Sequence, residues 1–287
     1  MRNSLAPAVR ELLPELPAGN VIAEPKSAGT APALAWAAVE VERRGGAGSV
    51  MLCVHADWSI GDPDGFRATL WRAAEVAERQ SSLVTVGIVP SRPDPGFGYI
   101  QPAEEAGAAR RVARFVEKPD RATAERMVRD GYLWNSGIFV WRAGDFLDEV
   151  RTHSPEVAPA LPLAASGDID GFFGAVKPIS VDHAVLERSA RVLVLPDDFQ
   201  WDDVGTWAAL RRVRRRDATG NAAAGSTYLV QASNNVVYAD GPTVVLYGVS
   251  DLVVVSKPGL TLVTTVDRAA DLKTLLDALP ADVRDRQ

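Results

Sequence analysis

The spacing of apolar positions divides the chain into an α/β region and a β-rich region. In the first region, the runs Val50–Val54 and Leu83–Ile88 are typical of buried strands. Between them, Asp62-Pro63 predicts the start of a helix. The predicted core face of that helix comprises Phe66, Leu70, Ala73, Ala74 and Ala77. The order of strand, helix and strand is a βαβ unit, which predicts an α/β sheet with crossover helices.

The rest of the first region continues this alternation. Thr30 predicts the N-cap of a helix that Gly45-Gly46 closes, and Val21–Ala23 is long enough only for a short strand. From Arg110 onward the pattern becomes α+β. It predicts strands up to Val116 and at Ile138–Trp141, and helices around Thr123–Arg129, 182–189 and 206–215.

Beyond Gly220 the chain changes to short β-rich runs separated by turn residues. A closing helix is expected over Arg268–Leu279, because its leucines fall on one face. We therefore expect an α/β domain over residues 1–220 and a small β-rich domain over residues 221–287. The strands predicted in the second domain are Tyr228–Val230, Val236–Tyr238, Val244–Leu246 and Leu252–Val255.

Composition and charge limit the classes of partner. The 287 residues carry 37 Asp and Glu against 31 Lys and Arg, and the resulting charge of -6 disfavours nucleic acid. A small phosphorylated ligand stays open, because a local lysine or a metal ion can override the global field. The single cysteine, Cys53, excludes an intrachain disulfide. Val244–Val255 is too short for a membrane span and contains Asp251. We therefore expect a cytoplasmic protein without a nucleic-acid or membrane partner.

Four segments place polar residues and glycine at the ends of apolar runs, where an open α/β sheet binds its ligands. Asp57 follows the Val50–Val54 strand, and its carboxylate can bind a hard cation or merely cap a turn. Asp202 and Asp203 are adjacent carboxylates, which need a nearby cation or hydrogen-bond donors to stay ionised. The alternative for this pair is a helix cap at Thr206.

The other two segments carry groups that suit a sugar phosphate. Glu117 can accept hydrogen bonds from sugar hydroxyls, and Lys118 can meet a phosphate as a compact charge. The alternative is a solvated strand end. Asn135 lies just before the predicted Ile138–Trp141 strand, and its amide can both donate to and accept from a sugar. A simple Asn-Ser-Gly turn is the alternative there.

Taken in order, these segments resemble the mannose-1-phosphate guanylyltransferases, a family of sugar nucleotidyltransferases. The resemblance runs from about residue 10 to the C-terminus. A collinear series is far more specific than one motif, so the structural alternatives lose most of their weight. The stretches that carry it are Asn20–Pro25 with Thr30–Ala33, GFGYI at 96–100, FVEKP at 115–119, WNSGIF at 134–139, SVDHAVLE at 180–187 and DDVGTW at 202–207.

The resemblance implies both a fold and a reaction. The fold is α/β, a Rossmann-like mixed sheet of the nucleotidyltransferase or glycosyltransferase-A-like type, followed by a small β-rich C-terminal domain. In the reaction, a phosphate oxygen of mannose 1-phosphate attacks the α-phosphorus of GTP, and pyrophosphate leaves. The attacking oxygen is already anionic, so the enzyme must align two anions and neutralise their charge rather than supply a nucleophile. The implied cofactor is Mg²⁺, the implied partners are GTP and mannose 1-phosphate, and a homo-oligomer is compatible with the sequence.

The resemblance also assigns roles to individual residues. It implies that Mg²⁺ is held by two aspartates, that a lysine binds the sugar phosphate, and that a sugar loop reads the mannose hydroxyls. The implied catalytic residues are Asp57, Asp203 and Lys118, of which Asp57 and Asp203 are the metal ligands. The implied substrate-binding residues are Gly98, Glu117 and Asn135 on the mannose side, and Glu24 and Thr30 on the guanosine side.

The chain departs from the family pattern in three places. His183 replaces an aromatic residue, and Lys26–Gly29 replaces a stretch that more often has a glycine, a basic residue and an asparagine. The glycine-rich signature resembling GxGTRLWP is absent and is expected before residue 1, in a segment of about 60 residues at roughly 30 per βαβ unit. Without that segment we expect an uncovered sheet edge at the Val21 and Val50 strands, low solubility and little guanylyltransferase activity.

Two other hypotheses follow from these departures. In the first, the chain is a non-catalytic sugar-phosphate-binding or regulatory homologue that has lost its phosphate loop. A start codon assigned too far downstream explains the sequence equally well. In the second, the chain is a related nucleotidyltransferase that activates another sugar 1-phosphate with another base. The amino-acid sequences of the DDVGTW and WNSGIF stretches favour mannose as the sugar and guanine as the base.

Overall fold

The computed structural model describes residues 3–205, 207–270 and 272–284. The α-helices of this part of the chain are α1 (Ala6–Leu12), α2 (Thr30–Gly45), α3 (Pro63–Gln80), α4 (Arg121–Arg129), α5 (Ala143–His153), α6 (Leu161–Ser166), α7 (Ile169–Ala175), α8 (Leu210–Val213), α9 (Leu272–Ala278) and α10 (Ala281–Arg284). Short 3₁₀ helices cover Asn3–Leu5, Ala18–Asn20, Ala158–Ala160, Trp207–Ala209 and Arg268–Ala270, and a π-helix covers Asp182–Leu186.

The strands of the described residues are β1 (Val50–Cys53), β2 (Ser59–Ile60), β3 (Leu83–Ile88), β4 (Tyr99–Ala106), β5 (Ala109–Val116), β6 (Leu133–Arg142), β7 (Val192–Asp197), β8 (Trp201–Asp202), β9 (Ala222–Ala224), β10 (Thr227–Val230), β11 (Val236–Ala239), β12 (Val244–Tyr247), β13 (Leu252–Lys257) and β14 (Leu260–Thr265). Among the described residues, no helix combines the length and the apolarity that crossing a bilayer demands.

Internal contacts group the described residues into two compact units. The first unit combines the residues up to His55 with Pro63–Phe199. The second combines Ala56–Asp62 with the residues from Gln200 onward. The contacts thus group 200–220 with the second unit, and the domain boundary at residue 220 stays a prediction.

The first unit is built on a mixed sheet of six strands in the order β1-β6-β3-β7-β5-β4. Every residue of β3 is buried, as its continuous apolar run predicts, and β3 is parallel to β7. β6 is antiparallel to both β1 and β3, which makes β1 and β3 parallel to each other. The predicted βαβ unit is therefore confirmed, with β6 inserted between its two strands. β1 forms one edge of the sheet, as expected for the Val50 strand, and Leu52 is half exposed there.

Aromatic residues fill the core between this sheet and the helices packed on it. The rings of Phe139, Trp141 and Phe146 stack in series, with centroids 5.5 and 4.3 Å apart. Trp36 of α2 meets Phe173 of α7 edge to face, at 5.7 Å. Each such pair adds about 0.5–1.5 kcal/mol beyond the area it buries. The core therefore fixes the helices against one face of the sheet.

The second unit contains a coil of short parallel strands. β9, β11 and β13 are paired in parallel, and β10 and β12 form a separate parallel pair. Two buried amides connect successive turns. The backbone amide and Nδ2 of Asn235 both donate to Oδ1 of Asn221, at 2.9 and 3.0 Å, and the Leu252 amide donates to Oδ1 of Asn235 at 2.9 Å. These bonds satisfy buried polar groups where the strands are too short to do so alone.

Several predicted elements differ from the observed ones. Val21–Ala23 forms no strand. The predicted N-cap Thr30 is the first residue of α2, and its hydroxyl accepts a hydrogen bond from the Val181 amide, at 2.9 Å, instead of capping the helix. In place of the regular helices predicted around 182–189 and 206–215, the chain forms the π-helix Asp182–Leu186 and a 3₁₀ turn followed by the short α8.

Candidate active site

The predicted sugar-phosphate residues of the first unit lie together at the ends of three paired strands. Tyr99 of β4 pairs with Val116 of β5 and with Trp134 of β6. Gly98 directly precedes Tyr99, Glu117 directly follows Val116, and Asn135 directly follows Trp134. The same register therefore places these three residues side by side. We call Gly98, Glu117, Lys118, Asn135 and Asp182 the Glu117 cluster.

Contacts within the Glu117 cluster are close. The backbone amide of Asn135 donates to the Gly98 carbonyl at 2.8 Å. A Cβ atom on Gly98 would lie 2.8 Å from Oε2 of Glu117, which is closer than real Cβ atoms come to such a group. Nζ of Lys118 lies 2.9 Å from Oε1 of Glu117. A side chain at residue 98 would thus displace the Glu117 carboxylate from this place, where it contacts the lysine ammonium.

Asn135 reaches this position through a bulge. It lies inside β6 rather than just before the strand predicted at Ile138–Trp141, because β6 begins at Leu133. The register between β3 and β6 shifts so that Thr85 faces Phe139 while Gly87 faces Asn135. Ser136 secures the bulge, because its hydroxyl donates to the Val86 carbonyl at 2.7 Å. A bulge re-aims side chains, and bulges are over-represented beside active sites.

Lys118 combines backbone strain with an exposed charge. Its φ of 42° lies in the left-handed region, which is uncommon for a residue with a side chain. Its side chain is 66% exposed and that of Glu117 45%, so their ion pair is weak in water. After Pro119, Asp120 caps α4 by accepting from the Thr123 amide at 2.7 Å. Lys118 is thus held between a strand and a capped helix, and its ammonium can exchange Glu117 for a stronger anion.

Asp182 belongs to the same cluster and was not singled out from the sequence. Nδ2 of Asn135 donates to Oδ1 of Asp182 at 2.9 Å. Burial raises the pKa of Asp182, opposed by the hydrogen bond from Asn135, and the charges of Glu117 and Glu187 raise it further. Asp182 opens the π-helix, a rare geometry that is frequent at functional sites. The only sequence signal was its place in the SVDHAVLE stretch.

The two residues predicted for the guanosine side have different surroundings. The Thr30 hydroxyl accepts from the Val181 amide and so helps to fix the residue that precedes Asp182. Gly29 has a φ of 85° and approaches the Ile179 backbone too closely for any side chain. Glu24 is half-buried in the segment that precedes α2. The roles of Glu24 and Thr30 in nucleotide binding stay predictions.

The two predicted metal ligands lie in the second unit, on a short ribbon. β2 and β8 pair antiparallel, with Ser59 opposite Asp202. Asp57 precedes this pairing and Asp203 follows it, so both lie at the same end of the ribbon. Behind them the rings of Trp58 and Trp201 meet at 6.0 Å. The fold therefore puts the two predicted ligands at the same end of one ribbon, although they are far apart in sequence.

The adjacent acids Asp202 and Asp203 are not equivalent. Asp202 is buried, and its oxygens accept from Nε and Nη2 of Arg212 at 2.6 and 2.9 Å. Asp203 is half-buried, and its Oδ2 would lie 2.7 Å from a Cβ on Gly205. Val204, which follows Asp203, has a φ of 49°, a strained value for a β-branched residue. Asp202 is thus committed to Arg212. The predicted helix cap, Thr206, lies outside the described residues.

The donor set of this ribbon fits Mg²⁺. No group of three or more His, Cys, Asp or Glu residues among those described could hold a metal ion. Mg²⁺ does not need such a group, because it is usually bound through one or two carboxylates together with substrate phosphates and water. Two aspartates at one end of a ribbon supply the hard oxygen ligands that this mode requires.

The mixed sheet of the first unit carries polar side chains at its strand ends, which is where α/β proteins bind their ligands. Residues 6–220 match the model of the nucleotidyl transferase family. This chain belongs to that family. Residues 225–279 match the MannoseP isomerase/GMP-like beta-helix domain, which agrees with the parallel coil of the second unit.

Relatives support the same family. The chain is 38% identical to the mannose-1-phosphate guanylyltransferase of Escherichia coli K12 over 92% of its length, but spans only 59% of that protein. It is 37% identical to the xanthan biosynthesis protein XanB of Xanthomonas campestris strain B100, and covers 57% of it. The crystal structure of mannose-1-phosphate geranyltransferase from Thermus thermophilus superposes with a TM-score of 0.84 and 31% identity, over 95% of this chain and 88% of that one. The predicted resemblance and fold class are confirmed.

Proposed function

We propose that this chain transfers GMP from GTP to mannose 1-phosphate, giving GDP-mannose and pyrophosphate. The observation that carries the proposal is the Glu117 cluster. It combines the Lys118 ammonium, the Glu117 carboxylate and the Asn135 amide around Gly98, which has no side chain to fill the space. These are the groups that a sugar phosphate requires. The names of the Escherichia coli and Thermus thermophilus relatives specify mannose 1-phosphate, and the first also specifies the guanylyl group.

In the proposed reaction the residues of the cluster bind and orient the acceptor. Lys118 leaves Glu117 and pairs with the phosphate of the sugar. Glu117 then accepts from sugar hydroxyls, while Asn135 donates to or accepts from them. A phosphate oxygen of the acceptor forms a bond to the α-phosphorus of GTP, the bond from that phosphorus to the bridging oxygen breaks, and pyrophosphate leaves with the electron pair. Orientation of this kind contributes a large share of a rate enhancement.

The metal ligands complete the proposal. Asp57 and Asp203 would hold Mg²⁺, which when bound neutralises charge on the phosphates. Asp202 takes no part in this, because Arg212 occupies both of its oxygens. We place the reaction in the cytoplasm, which the single free cysteine supports.

Asp182 is proposed as a positioning residue. Its carboxylate holds Nδ2 of Asn135, so the carbonyl oxygen of that amide is presented in one orientation only. Oγ1 of Thr85 lies 3.4 Å from the carbonyl oxygen, on the other side of the amide. Without Asp182 the amide could rotate and present the wrong atom to a sugar hydroxyl.

The experiment that tests the function is a binding and turnover assay on one preparation. Titration calorimetry with mannose 1-phosphate and glucose 1-phosphate measures sugar preference, and pyrophosphate release with GTP or UTP measures turnover and base. We expect mannose 1-phosphate to bind more tightly, and Lys118→Ala to weaken its binding about tenfold or more. Lys177→Ala, which removes an exposed lysine of the first unit, is the matched control.

Each outcome separates the hypotheses. Binding of mannose 1-phosphate without pyrophosphate release would favour the non-catalytic homologue. Preference for glucose 1-phosphate or UTP would favour the related nucleotidyltransferase. Equal loss of binding in the Lys118 and Lys177 variants would overturn the assignment of Lys118.

A further inference from the structure

A second cationic site lies in the second unit, next to the Arg212–Asp202 ion pair. The segment 211–216 reads Arg-Arg-Val-Arg-Arg-Arg, in a chain whose net charge is -6. A cavity of about 450 Å³ is lined by Arg211, Arg212, Arg216 and Val266, and we call it the arginine cavity. None of the predicted catalytic or substrate-binding residues lines it. Its volume is within the usual range of small-ligand pockets, about 300–1,000 Å³.

The three arginines differ in how far protein groups neutralise them. Arg212 forms the two-pronged pair with Asp202. Among the described residues, the hydrogen-bond partner of Arg211 is a neutral group, since its Nη2 donates to Oδ1 of Asn234 at 3.4 Å. No hydrogen bond or ion pair of Arg216 occurs within the part of the chain that the structure describes. The cavity therefore carries more positive charge than Asp202 offsets.

The nearest acid in sequence to Arg216 is engaged elsewhere. Oδ1 of Asp217 accepts from the amides of Thr219 and Asn221 at 2.9 Å, and its Oδ2 accepts from Nδ2 of Asn221 at 3.0 Å. Hydrogen bonds from Asn221, joined by those from Thr219, lower the pKa of Asp217 to about 2. This carboxylate closes the turn before β9 and is aimed at that turn's own donors.

Three guanidinium groups around one cavity repel one another unless an anion lies between them. Guanidinium forks match phosphate oxygens in pairs, which favours a phosphoryl group over a spherical anion. The negative net charge opposes a long polyanion. We propose that the arginine cavity binds a small phosphate-bearing anion through Arg211 and Arg216, neither of which is a predicted catalytic or substrate-binding residue.

The test compares two double variants with the same change in charge. Arg211→Gln/Arg216→Gln removes two guanidiniums that line the cavity. Arg214→Gln/Arg215→Gln removes two from the same segment that do not line it. Arg212 stays in both, because it holds Asp202. Calorimetry with pyrophosphate, inorganic phosphate and citrate is run with a chelator, so that no metal can carry pyrophosphate to the predicted catalytic aspartates.

We expect pyrophosphate or phosphate to bind the unaltered chain, and the first double variant to lose about tenfold or more of that affinity, since charge-assisted bonds are removed. The second should change by about twofold at most. Preference for pyrophosphate would identify a diphosphate ligand, and equal binding a single phosphoryl group. Absence of binding, an equal loss in both variants, or citrate binding as tightly as phosphate would overturn the proposal. If the first variant does not fold, Arg216→Gln alone replaces it.

Discussion

The Glu117 cluster and the aspartate ribbon achieve their geometry in different ways. The cluster stands on three strands of a six-stranded sheet, whose register alone brings Gly98, Glu117 and Asn135 side by side. The ribbon consists of two strands of two residues each, and Asp203 depends on Asp202 and Arg212 beside it. A large sheet thus positions side chains through pairing, whereas a short ribbon needs a salt bridge and strained backbone.

This contrast predicts different consequences of losing single carboxylates in the ribbon. The largest expected effect is the loss of turnover when either predicted metal ligand is removed. Asp203→Ala and Asp57→Ala should each lower pyrophosphate release by about a thousandfold, since a lost metal ligand removes several kcal/mol of charge stabilisation. Mn²⁺ binding, followed by electron paramagnetic resonance, should weaken in parallel. Asp240→Ala, which removes an exposed acid of the second unit, is the control. Unchanged Mn²⁺ binding in Asp203→Ala would remove the assignment of this residue as a ligand.

Loss of the neighbouring acid, Asp202, should mainly lower the free energy of unfolding. Asp202→Asn breaks a largely buried, two-pronged ion pair and leaves Arg212 without its carboxylate, which we expect to cost about 2–3 kcal/mol. Urea unfolding followed by the fluorescence of the tryptophans near the ribbon measures this loss. The double variant Asp202→Asn/Arg212→Gln should recover part of it. If Asp202→Asn unfolds at the same urea concentration as the unaltered chain, the salt bridge does not support the ribbon.

In the cluster, Asp182→Asn should act on substrate binding rather than on folding. Burial raises the pKa of Asp182, so the ionised carboxylate costs folding free energy once the pH exceeds that pKa. The asparagine variant should therefore be at least as stable at pH 7. Its affinity for mannose 1-phosphate should fall about threefold to tenfold, because the amide of Asn135 loses a charged acceptor.

The pH dependence gives a readout that a purely structural role would not move. For the unaltered chain, affinity should fall as the pH drops through the raised pKa of Asp182, because the protonated acid accepts less strongly. Glu117 and Glu187 face this group and His183 follows it, and all three are the same in both proteins, so the comparison isolates Asp182. The asparagine variant should lose only the part due to Asp182. An identical pH profile in both proteins would contradict the positioning role.

Individual residues show why one part of the fold and of the candidate site could be predicted from the sequence and another part could not. The apolar run Leu83–Ile88 predicts a central strand because only a buried strand tolerates it. Glu117 and Asn135 were singled out as candidate site residues because they lie in short motifs. The bulge that aims Asn135 depends on the pairing of β6 with β3, and the burial of Asp182 depends on residues far from it in sequence. Pairing and burial of this kind are set by tertiary contacts.

The same limit applies to the second unit. Turn spacing predicted β10, β11, β12 and β13, but not β9 and β14. It also did not predict that β9, β11 and β13 pair in parallel. Whether two strands pair in parallel or antiparallel depends on where each turn returns the chain. In this unit the buried side chains of Asn221 and Asn235 form hydrogen bonds between one turn of the coil and the next. An asparagine in a polar turn has the same local pattern whether it is buried or exposed.

The smallest expected effect tests the rigidity of the sheet that supports the cluster. Cys53 ends β1 at the sheet edge, half-buried, and burial raises the pKa of its thiol to about 12. Only the thiolate reacts with alkylating agents, so at pH 8 labelling should require local opening of the edge. We expect iodoacetamide to modify the folded chain at least about a hundredfold more slowly than the urea-unfolded chain. Comparable rates would mean that β1 opens readily, and that strand pairing does not hold the edge of this sheet as firmly as the register of the cluster suggests.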